Sequence, residues 1–194
     1  FRSINNCLTF GANVNNMMMI YIVMLISDPY MTSLQTKIAE NKYMLTSPVL
    51  ELKKTLTQLV ERFKTIRNQS IELCQPLQAE DYVVQPIVDV SPPKWHLGHT
   101  TWFFENFILA AFVSDYQLYN AKYNYFFNSY YESQGARINR SHRGNMTRPS
   151  VAEVFAYRKH VDEQMLAFLE QYNGSIEELA HLIEVGLQHE QQHQ

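Results

Sequence analysis

Two histidines four residues apart, His189 and His193, carry the clearest chemistry in the chain. On a helix that repeats about every 3.6 residues they project from one face, one turn above the other, a spacing at which two imidazoles can hold one metal ion. Glu190 beside them completes His-Glu-x-x-His, the pattern in which zinc peptidases use the glutamate as general base. A pair of histidines is too few, because protein metal sites of this kind take at least three protein donors. Candidates for the third are His96, His99, His142, His160, His181 and the carboxylates. The segment Trp95-His96-Leu97-Gly98-His99 is the natural donor, since an imidazole in such apolar company is costly to bury without a partner.

These residues need a scaffold, and the composition allows one. With 194 residues, 46% of them hydrophobic and 18% charged, the chain has enough apolar material for a single domain with a core. A net charge of −3 argues against a nucleic-acid partner, which would call for a basic patch. Cys7 and Cys74 lie far apart without Cys-x-x-Cys spacing, so a cytoplasmic, reducing compartment is expected. The apolar run from Met17 to Ile26 is only ten residues long. Spanning a bilayer takes roughly 20, so no membrane segment is expected. Residues 1–46 read as an N-terminal extension, non-native or disordered, and residues 47–194 as the domain. The chain stops one residue after His193, so the domain reads as truncated within its metal-binding helix.

The hydrophobic pattern places the helices. From Pro48, residues Leu52, Leu56, Leu59, Phe63 and Ile66 recur at helical steps, and Pro76 sets the latest end. Pro86, Pro92 and Pro93 forbid a helix over 80–93 and make it an extended connector. A second helix is expected from Pro93 to about Val113, apolar on nearly all sides, with Gly98 kept for close packing. Residues 114–148 form a long connection rich in aromatics from Tyr123 to Tyr131, which either covers the core or walls a site. It also carries Arg137, Arg140 and Arg143, a candidate anion-binding group. Ser150 with Glu153 opens a third helix through a capping box, with Val154, Val161, Met165 and Phe168 on its apolar face. Asn173-Gly174 ends it, and Ser175 with Glu178 predicts a second capping box before the helix of Leu179, Leu182, Ile183, His189 and His193. The fold class is all-α: a four-helix bundle with a long loop between helices 2 and 3.

The run from Ser91-Pro92-Pro93-Lys94-Trp95-His96-Leu97-Gly98-His99 through Glu105, followed by His189 to Gln194, resembles the N-terminal DinB-like domain of the ergothioneine-biosynthesis sulfoxide synthases. Residues 123–131, Arg143-Gly144 and Arg148-Pro149 fit the same pattern, and the ovothiol-type synthases share much of it. The resemblance implies a mononuclear Fe(II) held by His99, His189 and His193, with His96 a neighbour rather than a ligand. It implies O2-dependent joining of a cysteine or γ-glutamylcysteine thiol to the imidazole C2 of Nα-trimethylhistidine, with oxidation to the sulfoxide. Gln192 would contact the histidine-derived substrate, and Arg137 and Arg140 would grip the thiol substrate's carboxylates. The proton-donating tyrosine of that family belongs to a C-terminal domain related to sulfatase-modifying factors, so this fragment alone is expected to be inactive. Iron comes from the resemblance, since three histidines equally suit zinc. A DinB-like metal-dependent thiol transferase, a zinc peptidase with Glu190 as base and a non-catalytic metal-binding bundle are the alternative readings.

Overall fold

Prolines, glycines and serine caps set the helix boundaries. The computed structural model describes the backbone of residues 29–129 and 135–194, and side chains from residue 48 onward. The readings of residues 1–28, including the apolar run from Met17 to Ile26, and of Tyr130 and Tyr131 lie outside the described residues. The chain divides into two units, residues 1–51 and 52–194, and the hydrophobic core belongs to the second.

Helix α1 spans Pro29–Cys74 with Pro48 inside it, so Pro48 does not open the helix as its position suggests. A single interior proline forfeits one backbone bond, and no other proline or glycine interrupts residues 31–47. The expected boundary at residues 46/47 therefore falls within a helix. Of the predicted stripe Leu56, Leu59, Phe63 and Ile66 enter the core, and Leu52 is partly buried against it.

Helix α2 (Pro93–Phe104) starts at the proline that needs no intrahelical donor. It buries residues on nearly every side, Lys94, His99, Thr100 and Thr101 among them. A π-helical turn over Glu105–Leu109, which the sequence pattern does not reveal, carries it on into Ala110–Phe112. Glu105, buried in this turn, accepts hydrogen bonds from Tyr116 Oη at 3.2 Å, the Tyr119 amide at 2.7 Å and Tyr157 Oη. The turn is thereby tied to both the following loop and the third long helix.

The long loop contains a short helix, α3 (Tyr123–Phe127), and a 3-10 segment (Arg140–Asn145). It serves both roles foreseen for it. Tyr123 and Phe127 are buried in the core, while Ser129, Arg140 and Arg143 line a cavity. Helix α4 (Val151–Gln171) has the full Ser150–Glu153 capping box. Val154, Val161 and Met165 are buried as expected, joined by Tyr157, Arg158 and Leu169, whereas Phe168 is only partly covered.

Helix α5 (Ile176–His193) is capped at Ser175, but no capping box forms. Ser175 Oγ bonds the Glu177 carboxylate instead, which takes it away from the Glu178 backbone. Among the described residues the chain is helical with no strand, as the all-α reading requires.

Two glycines set how closely these elements approach. A Cβ on Gly98 would lie 2.1 Å from the Phe127 ring, and one on Gly186 would lie 2.7 Å from Phe104 and 2.8 Å from Phe103. The rings they meet are buried and cannot swing aside. Overpacking of this kind typically costs about 1–3 kcal/mol. Gly98→Ala and Gly186→Ala are each expected to destabilise the chain by at least that range in urea titrations monitored by circular dichroism. Unchanged midpoints would show that the helices are not in such close contact.

Candidate metal centre

The site is built where α2, α5 and the loop after α3 converge. Gly98 lets the Phe127 ring pack directly against α2. The Phe127 carbonyl accepts a hydrogen bond from His99 Nδ1 at 2.6 Å. A carbonyl can only accept, so the proton sits on Nδ1 and leaves the Nε2 lone pair free. Trp95, one turn earlier, stacks on the His99 ring with centroids 4.4 Å apart and planes 19° apart. The imidazole is thus fixed in rotamer and in tautomer.

Helix α5 brings the other two histidines to it. His189 Nε2 lies 3.0 Å from His99 Nε2, and ligand atoms of His99, His189 and His193 all fall within 4.8 Å of one another. His189 Nδ1 is buried without a hydrogen-bond partner among the described residues. Three imidazole nitrogens gathered this closely make a donor set that fits a divalent transition metal. Burial pushes the His99 and His193 imidazoles below the ordinary 6.5; the neighbouring imidazoles of His189 and His193 add to the effect on His99, and those of His189 and His96 with the Arg143 charge bring His193 to about 3. Both rings are therefore neutral near pH 7, the form that binds metal.

His96 is a neighbour of the group, as anticipated. Its Nδ1 lies 2.6 Å from His193 Nδ1 and its Nε2 lies 3.1 Å from the Ser91 carbonyl.

Glu190 faces a different direction. Its carboxylate is buried and receives Arg67 Nη1 at 2.8 Å, Ser70 Oγ at 2.5 Å and Arg158 Nη2. Arg67 also bonds Asp162 Oδ1 at 2.7 Å and Thr101 Oγ1 at 3.0 Å, so the cluster links α1, α2, α4 and α5. Burial alone would raise the Glu190 carboxyl, but the guanidiniums of Arg67 and Arg158 and the Ser70 hydroxyl outweigh it and hold it at about 2. A carboxylate held this firmly has neither the basicity nor the free lone pair that a peptidase base needs. The geometry gives no support to the zinc peptidase alternative.

A cavity of about 610 Å³ opens onto the three histidines and is also lined by Gln192, Arg140 and Arg143. Gln192 and Arg140 thus line the same cavity as the three histidines. Arg137 is not among the residues lining this cavity. The second arginine that lines it, Arg143, is buried, bonds Ser91 Oγ at 2.8 Å and Ser129 Oγ at 3.1 Å, and lies with its guanidinium carbon 3.4 Å from the Trp95 ring centroid. Burial lowers its pKa to about 10, with help from the charges of Arg140 and Arg137. This residue was visible in sequence as the third member of the arginine group, but nothing in the spacing tells which arginine turns inward.

A helical scaffold thus gathers His99, His189 and His193 within metal-ligating distance of one another, between α2 and α5. The model of the DinB superfamily matches residues 62–194, and the chain belongs to that superfamily. No curated protein shows a significant match to the chain. Among the described residues no helix is long and apolar enough to cross a membrane.

Two outcomes are expected of this geometry. Glu190→Ala leaves Arg67 and Arg158 buried without their shared partner, a change that costs about 3–5 kcal/mol. Urea denaturation should show a loss of that size, and a loss under about 1 kcal/mol would contradict the clamp. The second concerns pH. An imidazole held below 6.5 stays unprotonated in the folded chain while the unfolded chain takes up protons, so stability is full above pH 6.5 and declines below it. The Glu190 carboxylate adds a loss of the same sign between its ordinary 4.5 and about 2. The metal-free protein should therefore show a flat denaturation midpoint above neutrality and a decline that steepens below pH 4.5.

Proposed function

We propose that this chain is the metal-binding part of an iron(II)- and O2-dependent sulfoxide synthase of ergothioneine biosynthesis. This oxidoreductase would join the thiol of cysteine or γ-glutamylcysteine to the imidazole C2 of Nα-trimethylhistidine. The observation that carries the proposal is that one cavity is lined at once by His99, His189, His193, Gln192 and Arg140. The run Ser91-Pro92-Pro93-Lys94-Trp95-His96-Leu97-Gly98-His99 that forms its wall is the same one that resembles those synthases.

Iron held by the three histidines would supply open coordination positions for the sulfur, the substrate imidazole and O2. The remaining work falls to the chain. Neutral imidazole ligands leave the metal's positive charge uncompensated, and Arg140 and Arg143 add to it, which suits an anionic thiol substrate with free carboxylates. Gln192 presents an amide to the same cavity, able to donate to or accept from the histidine-derived substrate. Trp95 and Phe103 flank the histidines with apolar rings and keep bulk water from that side. Holding both substrates in one cavity replaces an encounter in solution with a positioned pair.

Anaerobic reconstitution with Fe(II), followed by metal analysis and calorimetric titration with each substrate, tests this reading. The expected result is stoichiometric iron and saturable binding of both Nα-trimethylhistidine and the thiol, abolished by His99→Ala. Binding of the thiol alone would favour a DinB-like thiol transferase. Tight zinc with neither substrate bound would contradict the proposal.

A further inference from the structure

His96 is half-buried beside the three histidines yet is not one of the proposed ligands, and its two ring nitrogens have well-defined partners. Nε2 faces the Ser91 carbonyl at 3.1 Å, and a carbonyl only accepts. The proton of the neutral His96 ring therefore sits on Nε2. That leaves Nδ1 as an acceptor, and the group 2.6 Å from it is His193 Nδ1. Only one proton can lie between these two nitrogens, so His193 must donate from Nδ1. Its lone pair is then on Nε2, the nitrogen that remains for a metal.

We propose that His96 is a positioning residue that sets the tautomer and ring orientation of His193 through the relay Ser91 carbonyl, His96, His193. The inference rests on the metal-centre reading, and it gives a role to three sequence features that the ligand set leaves unexplained. Pro92 and Pro93 restrict the residues before them to extended conformations, which fixes the Ser91 carbonyl at the mouth of α2. The Ser91 hydroxyl is bonded by Arg143, so the segment is anchored from both sides. His96 lies three residues before His99, so one turn of α2 carries both a ligand and the residue that orients a ligand on α5.

The arrangement differs for each of the three ligands. The Phe127 carbonyl sets His99 directly, and His193 is set through His96. His189 has no hydrogen-bond partner at Nδ1 among the described residues. Loss of His96 should therefore disorder one ligand and spare the other two. Outer hydrogen-bond partners of metal-ligating histidines typically contribute 10–100-fold, on the order of one to two decades, to metal affinity.

The test has two parts. In the metal-free wild-type protein, long-range proton–nitrogen NMR of the histidine rings should show His193 protonated at Nδ1 and bare at Nε2. The opposite pattern overturns the proposal whatever the metal affinity. Titration with cobalt(II) alone then compares variants. His96→Leu should weaken binding by about 10–100-fold and shift His193 towards the Nε2-protonated form. His96→Asn, whose side-chain oxygen can accept from His193 Nδ1, should recover most of that affinity, which a purely space-filling role for His96 would not predict. Wild-type affinity in His96→Leu overturns the proposal. A wild-type chain that takes up no cobalt while showing the expected His193 tautomer overturns the metal-centre reading and the role of His96 in it, but leaves the hydrogen-bonded relay in place.

Discussion

The structure depends on a buried carboxylate. Glu190 sits between the guanidiniums of Arg67 and Arg158, and those charges, with Asp162, balance within one cluster. Such a cluster adds little net stability, because desolvating the ions offsets much of their attraction. What it supplies is register. Helix α5 can satisfy both arginines and Ser70 at only one rotation and one height. With about 100° per residue, that rotation puts His189 and His193 together, roughly 80° round the helix from Glu190, and Gln192 on their far flank. One ion cluster therefore decides that the metal-binding face of α5 meets α2.

Helix α2 meets it with equal definition. Gly98 lets the Phe127 ring pack on α2 while the Phe127 carbonyl bonds His99, and the second contact, at Gly186, brings α5 against Phe103 and Phe104. His99 is thus placed by a group on a residue that is itself buried. The long loop supplies the Phe127 carbonyl and the arginines of the cavity wall, which explains why so many of its aromatics turn into the core. They anchor a segment that would otherwise be free to move away from the site.

Much of this was legible in the residues. Pro93, the Ser150–Glu153 pair and Asn173-Gly174 act within one turn of chain, and the elements they mark appear where the pattern places them. Local signals failed where tertiary structure competes. Pro48 lies within a helix, Ser175 bonds Glu177 rather than completing a box, and the π-turn at Glu105 answers to tyrosines from the following loop and α4. The spacing of His189 and His193 showed a possible metal pair, but His99 came from a resemblance, because ninety residues separate it from His189. The Arg67–Glu190 pair spans a still longer stretch. A signal for it existed: Arg67 and Ser70 continue the stripe of Phe63 at helical steps, and charged or polar groups on a buried stripe need a buried partner. Among Arg137, Arg140 and Arg143, only the fold of the loop decides which one is buried against Trp95.

The central claim is that His99, His189 and His193 form one metal centre while Glu190, within the same His-Glu-x-x-His motif, serves the scaffold. X-ray absorption at the metal edge of the reconstituted protein tests it most directly. The account predicts a first coordination sphere with three imidazoles, reduced by one in each of His99→Ala, His189→Ala and His193→Ala. A sphere with only two imidazoles, or one unchanged by His99→Ala, would contradict it.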